Sequence, residues 1–470
     1  MTEHPRWKIA LDKLWTMNRV HCGPEMSAAY RDLATIYDHT EVFGFASGEK
    51  SGSWTAPQSW VVEHATLTGP DGTVVADFTI HPLHLFTFSP PFKGTISRTE
   101  LDEHLFSMPS KPDCIPFHFR NQYRHWEPEW GFCISQNARD DLPGGDYEVD
   151  IATRFEPGML EMAEQVHAGE LSDSLLLIGH FDHPYMCNDG LVGCLAGHEA
   201  ISRLAGRKTH LTYRMLSTVE IIGSVFYAEH MAAANNVRQG MFVASAGADA
   251  PLAYQNSFSG SAAIDRVMAH VLESGDHNAT LHEFRNGPLG NDETAFDVGG
   301  VGIPCGSIMR APFGVYHTDE DTPENVHTDK FEQMTDLIGR AINVFESNAI
   351  LKRRFTGLPC LSSQELDLYL SPALMSQSAQ SVSSGGITEA LTPELMRVVQ
   401  DRSASKSHLR SGALNYLMNI LPAMCEGDMT TLDVAEKAGL PFEFVDAYTD
   451  KWVEKGLLEK NWVSPFASPK

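Results

Sequence analysis

The sequence is poor in basic residues and lacks a long apolar run. Its 470 residues include 35 Lys+Arg against 61 Asp+Glu, a formal net charge of −26. Such a chain repels phosphate backbones, so we expect no nucleic-acid partner. No uncharged apolar run approaches the roughly 20 residues that a membrane-spanning helix needs, and the opening stretch MTEHPRWKIALDKLW has no secretory-signal pattern. We therefore expect no membrane partner and a cytoplasmic location.

Paired cysteines are also absent. The eight cysteines are scattered with no C-x-x-C pair, which predicts buried thiols of a reducing compartment rather than a disulfide framework. Hydrophobic residues make up 42% of the chain, enough for two or three packed domains, and this content excludes a wholly disordered protein. The acidic excess has two interpretations, because it favours solubility and also attracts cations such as metal ions.

The residue pattern that predicts secondary structure changes several times along the chain. A helical start gives way to short β-rich runs with turns, then to alternating strands and helices typical of a mainly parallel sheet covered by helices. A Ser- and Gly-rich stretch, 371–387, is typical of a linker. The last part has the order of elements of a helix-turn-helix with a wing, namely helix, turn, helix and short strand. The predicted segments are 1–40 (helical), 41–165 (small β domain), 166–355 (α/β), 356–405 (linker region) and 406–470 (winged-helix-like domain).

Four polar segments in the α/β region are candidates for chemistry. They are HFDHPYMCNDG (180–190), STVEIIGS (217–224), GNDETAFD (290–297) and GVYHTDEDTPENVH (314–327). The first follows a buried-strand run, LLLIG, and active sites of open parallel sheets lie at the carboxyl ends of strands. Each segment also has a plain structural interpretation, since strand-end loops and helix starts are often polar or acidic.

The individual residues leave several roles open. His180 and Asp189 can reach one ion if the loop between them doubles back, and Asp182 can then hold the histidine ring or orient a metal-bound base. Glu220 is a lone acid in an apolar run and needs a partner. It is a metal ligand, a general base with a raised pKa, or one half of a salt bridge. His317 is a ligand or an ordinary loop histidine.

Taken in order, these segments resemble the zinc-dependent aminopeptidase family, whose members use H-x-D-H…N-D, E-E-x-G-x-x-G-S and Y-H-T…D-T-P. The runs GFASGEKSGSWTAPQSWVVEHATL, WGFCIS and SIMRAPFGVYHT resemble a bacterial branch with an inserted β domain and a C-terminal winged helix. The resemblance implies the α/β Zn-exopeptidase (phosphorylase/hydrolase-like) fold, a mixed sheet covered by helices. It also implies that 1–40 and 166–355 form the catalytic domain and that 41–165 is the insert.

The resemblance implies roles for particular residues of this chain. It implies that His180, Asp189 and His317 are metal ligands, that Asp182 supports the first histidine or the metal-bound water, and that Glu220 is base or ligand. The positions expected to make further metal or substrate contacts are His183, Asp249, Asp292, Glu293 and Tyr316. His183 matches a position that is common in the family but usually not a ligand.

Two departures bear on the metal. The paired Glu-Glu of the family is Val219-Glu220 here. Where the family has an aspartate at the end of a strand, this chain has Ser245 or Ala246, with Asp249 as a nearby replacement. We therefore expect zinc as the cofactor, with one or two ions, and one ion if no replacement exists.

The predicted function is a metalloprotease-like hydrolase of aminopeptidase type, which cleaves an amide bond of a small peptide or aminoacyl compound with a zinc-activated water. The alternatives are a deacylase or amidase acting on a sugar or small metabolite, and a catalytically inactive binding protein. Residues 411–470 contain five Lys against nine Asp+Glu, a net charge of −4, which favours protein contacts and a homo-oligomer over DNA binding.

Overall fold

The computed structural model describes residues 5–275, 278–287, 290–370 and 413–466. The chain divides into two compact units, Met1–Gly260 with Thr280–Asp336 and Ser261–Ala279 with Leu337–Lys470. Within the described ranges, no helix has the length and apolarity needed to cross a bilayer. All eight cysteines are free thiols, and every one except Cys360 is buried, as the sequence predicts.

The described residues form strands and helices in alternation. The strands are β1 (Thr40–Ala46), β2 (Lys50–Ser51), β3 (Trp54–Thr55), β4 (Ser59–Thr68), β5 (Val74–Asp77), β6 (Phe92–Ser97), β7 (Leu105–Phe106), β8 (Phe132–Cys133), β9 (Asp146–Glu156), β10 (Met159–His167), β11 (Ser174–His180), β12 (Thr212–Thr218), β13 (Val237–Ala244), β14 (Leu252–Gln255), β15 (Thr280–His282), β16 (Cys305–Arg310), β17 (Ala349–Arg353), β18 (Glu426–Thr430) and β19 (Leu458–Trp462). The helices are α1 (Arg6–Leu14), α2 (Pro24–Ile36), α3 (Arg98–Leu101), α4 (Arg120–Tyr123), α5 (Gln136–Asp140), α6 (Leu191–Ser202), α7 (Ile222–His230), α8 (Ala263–Gly275), α9 (Glu293–Phe296), α10 (Thr328–Ser347), α11 (Ala413–Ile420), α12 (Thr431–Ala438) and α13 (Phe442–Glu454).

An eight-stranded mixed sheet is the centre of the first unit. Its strand order is β1-β10-β12-β11-β13-β16-β14-β15. Strands β12, β11, β13 and β16 run parallel, whereas β10 pairs antiparallel with both β1 and β12. Every residue of β11 is buried, because helices cover both faces of a parallel sheet of this kind. The predicted α/β class with a mixed, helix-covered sheet is therefore confirmed.

A separate antiparallel sheet of four strands, in the order β5-β4-β9-β6, lies within residues 59–156. Its core contains Trp60, Leu67 and Phe88, all nearly inaccessible to solvent. The segment 41–165 predicted as an insert also includes most of β1 and of β10, and both are strands of the eight-stranded sheet. The exact extent of an inserted domain stays a prediction.

The second unit contains a three-stranded sheet in the order β18-β17-β19. Helix α12 begins with a capping box, in which Thr430 and Asp433 bond each other's backbone, and it ends at Gly439 in the left-handed conformation (φ 65°). Helix α13 follows directly, so the helix–turn–helix predicted from the sequence is present. The winged-helix assignment stays a prediction, and the predicted linker stretch 371–387 lies outside the described residues.

Candidate metal centre

Three polar loops meet at the carboxyl ends of the central parallel strands. His180 is the last residue of β11, where it pairs with Thr218 at the end of β12. Glu220 follows β12 by two residues, and Asp189 lies in the loop that leads from β11 into α6. His317 lies in the loop after β16. Parallel strands bring these loops to one edge of the sheet, which is where ligands bind in open α/β sheets.

Asp189 lies at the centre of the cluster. Its Oδ1 is 3.0 Å from His180 Nε2 and 3.3 Å from His183 Nδ1. Its Oδ2 is 2.8 Å from His317 Nε2. One carboxylate is thus in contact with three imidazole rings, and the three residues predicted from the resemblance to hold metal lie together.

Glu220 lies at the edge of this cluster. Its Oε2 is 2.9 Å from His183 Nε2, and its Oε1 accepts a 2.7 Å hydrogen bond from the Tyr123 hydroxyl. The side chain of Glu220 is 17% exposed, against 7% for Asp189. Glu220 is therefore the carboxylate of this cluster that an entering molecule meets first.

The donor set fits a divalent metal ion. In two groups of three residues, each residue has one potential ligand atom within 4.8 Å of those of the other two. One group is His180, His183 and Glu220, and the other is His183, Asp189 and His317. Within the described chain, His183 Nδ1 and Asp189 Oδ2 are buried without a hydrogen-bond partner although they lie against ring or carboxylate atoms. Buried polar atoms normally find a partner, so convergent ones without hydrogen bonds suit an ion between them.

A second layer of side chains orients the first. His180 Nδ1 lies 3.3 Å from Asp292 Oδ2, and Asp292 Oδ1 accepts a 2.6 Å bond from the Ser224 hydroxyl. The sequence offers Asp182 two roles, support of the His180 ring or of the metal-bound base. Asp182 accepts a 3.0 Å bond from the backbone N–H of Glu220 and lies 3.2 Å from His21 Nε2. Asp292 therefore contacts the His180 ring, and Asp182 contacts the backbone of the candidate base.

The loop that carries Asp189 is held by Asp321. The two carboxylate oxygens of Asp321 accept bonds of 2.9–3.0 Å from the backbone of Asn188 and Asp189 and from the Asn188 amide. Gly190 follows, and a β-carbon there would lie 1.8 Å from His180 Cδ2. Only glycine permits this close approach of the loop to the histidine ring.

Arg19 holds the other half of the loop. It is fully buried, and its guanidinium donates to the carbonyls of Phe181 (2.8 Å), His183 (2.9 Å) and Met186 (2.7 Å). It also donates to the carbonyls of Leu14 and Trp15 near the end of α1. Arginine suits this task because its planar fork offers five donors.

The pKa values of the cluster show how its charges interact. Burial lowers the pKa of His180 and of His183, but the neighbouring carboxylates outweigh it and raise both pKa values well above the usual range. Burial raises the pKa of Asp189, and the adjacent His183 and His317 reverse this and hold it well below its usual value. Burial raises the pKa of Asp292 to about 6, with only partial compensation from His180.

Aromatic rings from residues 115–123 form one wall of the centre. The Phe117 ring lies 5.0 Å from the His183 ring and 5.4 Å from the His317 ring, and its backbone N–H donates to the His317 carbonyl (3.0 Å). Phe119 lies 5.2 Å from the His317 ring and is 41% exposed. Tyr316 also stacks on His317, with ring centroids 3.9 Å apart. Phenylalanine and tyrosine rings thus lie against the histidines of the cluster.

Other predicted contacts lie outside the cluster. Asp249 is exposed and belongs to neither group of candidate ligands. Glu293 is buried and accepts a 3.0 Å bond from the Gln255 amide, which gives it a structural partner. Ser245 follows the end of β13 and is buried, so no carboxylate occupies that strand end.

Several residues of the site escaped the sequence reasoning. Arg19, His21 and Tyr123 come from parts of the chain with no recognisable motif, and only the fold brings them to the loops. Asp321 lies in the D-T-P motif, whose acids a helix start also explains. The signal that points to Asp321 is its place in the motif shared with aminopeptidases.

Comparison with known proteins shows which proteins the chain is similar to. The chain is 32% identical over 293 residues to a Clostridium acetobutylicum protein provisionally named a polysaccharide biosynthesis protein with an aminopeptidase-like domain. That alignment spans 62% of this chain and 66% of the relative, slightly less than two thirds of its length. A crystal structure provisionally named a peptidase, also from Clostridium acetobutylicum, is 25% identical with a TM-score of 0.77 and covers 97% of this chain and 96% of its own.

A more distant structure shares the fold. It is BSAP, a zinc aminopeptidase from Bacillus subtilis, which is 14% identical with a TM-score of 0.52 and covers 73% of this chain and 95% of its own. The aminopeptidase-like fold expected from the sequence is therefore confirmed. Residues 9–348 match the profile of a family described as a domain of unknown function, DUF4910. The chain thus belongs to the DUF4910 family, on the fold of the zinc aminopeptidases.

Proposed function

We propose that this protein is a zinc-dependent hydrolase of aminopeptidase type that cleaves an amide bond of a small peptide or aminoacyl compound. The observation that supports it most is the buried convergence of His180, Asp189 and His317 with Glu220 at the open edge. These three residues would hold the ion, since two imidazoles and a carboxylate form a common ligand set of catalytic zinc. Bound zinc polarises the scissile carbonyl and lowers the pKa of a water to about 7.

Glu220 is positioned to move the proton. Its carboxylate is the most exposed acid of the cluster, and the Tyr123 hydroxyl holds Oε1 so that Oε2 faces the histidines. Burial raises the pKa of Glu220, whereas His183 lowers it to a net value below the usual range, so the carboxylate is ionised and not the raised-pKa base that the sequence suggested. It takes the proton of the attacking water and returns it to the leaving amine.

A deacylase acting on an amino sugar is the second candidate. Phe119 and Tyr316 are 41% and 51% exposed beside His317 and offer flat apolar faces to a sugar ring as well as to a side chain. The relative named for polysaccharide biosynthesis also favours this class. The same proton transfer by Glu220 serves both reactions.

The test is hydrolysis of aminoacyl-naphthylamides and of N-acyl amino sugars by the zinc-loaded chain, before and after chelation. We expect turnover of one class that chelation abolishes and zinc restores. Glu220→Gln should lower kcat by about 10²–10⁴-fold at an unchanged zinc content, because it removes the proton acceptor and leaves the ion in place. Glu63→Gln, an exposed glutamate of the four-stranded sheet, is the matched control and should retain full activity.

The outcomes separate the candidates. Loss of zinc from Glu220→Gln would identify Glu220 as a ligand instead of the base. No turnover of either class by fully loaded protein would contradict both enzymatic proposals and favour a protein that binds a ligand on this fold.

A further inference from the structure

We propose that His183 is itself a ligand of this metal centre and supplies the coordination that no carboxylate provides at the end of β13. The inference rests on the proposed function, because it concerns the same ion. The sequence left His183 as a possible further metal or substrate contact, at a position that is usually not a ligand in the aminopeptidase family. The structure places it between the other candidate ligands.

Both nitrogens of the His183 ring face the cluster. Nδ1 lies 3.3 Å from Asp189 Oδ1, and Nε2 lies 2.9 Å from Glu220 Oε2. The residue is 1% exposed, and within the described chain its Nδ1 has the 3.3 Å contact with Asp189 but no hydrogen bond of good geometry. It is also the one residue that both candidate ligand groups share. A merely structural buried histidine would normally satisfy both nitrogens with hydrogen bonds, as His198 does with Gln165 and Ser217.

The backbone around His183 is built to present the ring. His183 has a φ of 77°, a left-handed conformation that costs energy for a residue with a β-carbon. The Arg19 guanidinium donates a 2.9 Å bond to the His183 carbonyl and holds this conformation in place. Strained residues held by buried contacts cluster at functional sites, and this one carries a ring that contacts Asp189 and Glu220.

The surroundings of His183 suit an ion beside its ring. Its two nitrogens contact Asp189 and Glu220, whose negative charges attract a divalent cation whether Glu220 binds the ion or only accepts a proton. One ion is expected because a carboxylate is missing at the strand end where the aminopeptidase pattern has one. The end of β13 offers Ser245 in place of a carboxylate, and Asp249 is exposed outside the cluster.

The experiment measures zinc binding by the full chain with a competing chromophoric chelator and inductively coupled plasma mass spectrometry. Wild type should hold one zinc per chain. His183→Gln should bind zinc more than about 100-fold more weakly, beyond the 10–100-fold that loss of a second-shell partner costs. His198→Gln, an equally buried histidine outside the cluster, is the matched control and should bind zinc as tightly as wild type. His183→Gln/Ser245→Asp should regain most of the lost affinity, since it returns a carboxylate to the strand end.

A second measurement does not depend on any variant folding. X-ray absorption at the zinc edge of wild type should count three imidazole ligands, and a count of two would overturn the inference. His183→Gln with wild-type affinity, two tightly held ions in wild type, or no rescue by Ser245→Asp would overturn it as well. If wild type binds no zinc, the proposed function fails. If wild type binds one ion and His183→Gln keeps it, only this inference fails.

Discussion

Buried histidines have two electrostatic environments in this chain. His180 and His183 face carboxylates, which raise their pKa values well above the usual range. His198 is equally buried but lies between the neutral Gln165 and Ser217, and burial lowers its pKa to about 3. Residue type and burial are the same in both cases, so the neighbouring charges decide whether a histidine serves a cation site or the core.

The low pKa of His198 predicts a pH dependence of stability. Its folded-state pKa of about 3 lies below the unfolded value of 6.5, so its stabilising contribution is present above pH 6.5 and is lost as the pH falls toward 3. In the wild type this group should lower the free energy of unfolding by about 2–3 kcal/mol between pH 7 and about pH 4.5, at 1.36 kcal/mol per pKa unit. We expect His198→Gln to lack this pH-dependent decrease. Urea unfolding at the two pH values checks this.

The control for that measurement is His230→Gln, because His230 is exposed at the end of α7. It should keep the wild-type pH dependence. An unchanged slope in His198→Gln would mean that His198 is not the group that takes up the proton in the unfolded chain.

At the scale of elements, the loop between β11 and α6 carries most of the site. Its position depends on two buried anchors, Arg19 on one half and Asp321 on the other. The sequence predicts the strand and the helix well, because β11 is a continuous apolar run and α6 follows a glycine. It did not predict the anchors, since Arg19 and Met186 are separated by 167 positions and no periodicity links them.

Loss of the Arg19 anchor should destabilise this loop. Arg19→Met leaves the carbonyls of Phe181, His183 and Met186 buried without donors, and each such loss costs about 1–3 kcal/mol. We expect the free energy of unfolding to fall by about 3 kcal/mol or more, together with weaker zinc binding. Arg31→Met, at an exposed position of α2, should change neither quantity. Chemical denaturation and zinc titration measure both, and a loss below about 1 kcal/mol would contradict the anchoring role.

At the scale of the whole molecule, the charge of −26 has a partly local explanation. Asp182, Asp189 and Asp292 are buried next to histidines, where a cation is proposed to bind. Basic residues in the second unit are engaged by acids, as Arg266 is by Asp433 and Glu436. Long-range attraction of a polyanion needs unpaired positive charge, and the composition gives little of it.

We therefore expect no DNA binding by this chain in spite of its helix–turn–helix. Fluorescence anisotropy of a labelled duplex at about 50 mM salt should stay at the free-duplex value, because few phosphate contacts and few released counterions are available. A basic helix-turn-helix protein measured in parallel shows that the assay responds. Micromolar binding that weakens with added salt would contradict the prediction and assign the C-terminal helices to a nucleic acid.

The sequence by itself determined the elements and the chemistry of the loops. Apolar runs such as LLLIG predict buried strands, and His180, Asp189 and His317 could be selected from the order of their motifs. The strands could be predicted because secondary structure follows local periodicity. The three residues could be proposed as ligands because metal ligands are limited to a few residue types, and the structure brings them together.

Only the tertiary structure decided how the loops are used. In the structure His180 contacts Asp292, and Asp182 contacts His21. The Tyr123 hydroxyl donates to Glu220, and His183 lies between the candidate ligands. The first three of these pairings join residues from 97 to 161 positions apart, the largest separation being that of His21 and Asp182 (182 − 21). They depend on which loops the parallel strands bring to one edge and on which buried polar groups find partners there, and neither condition is written in the neighbouring sequence.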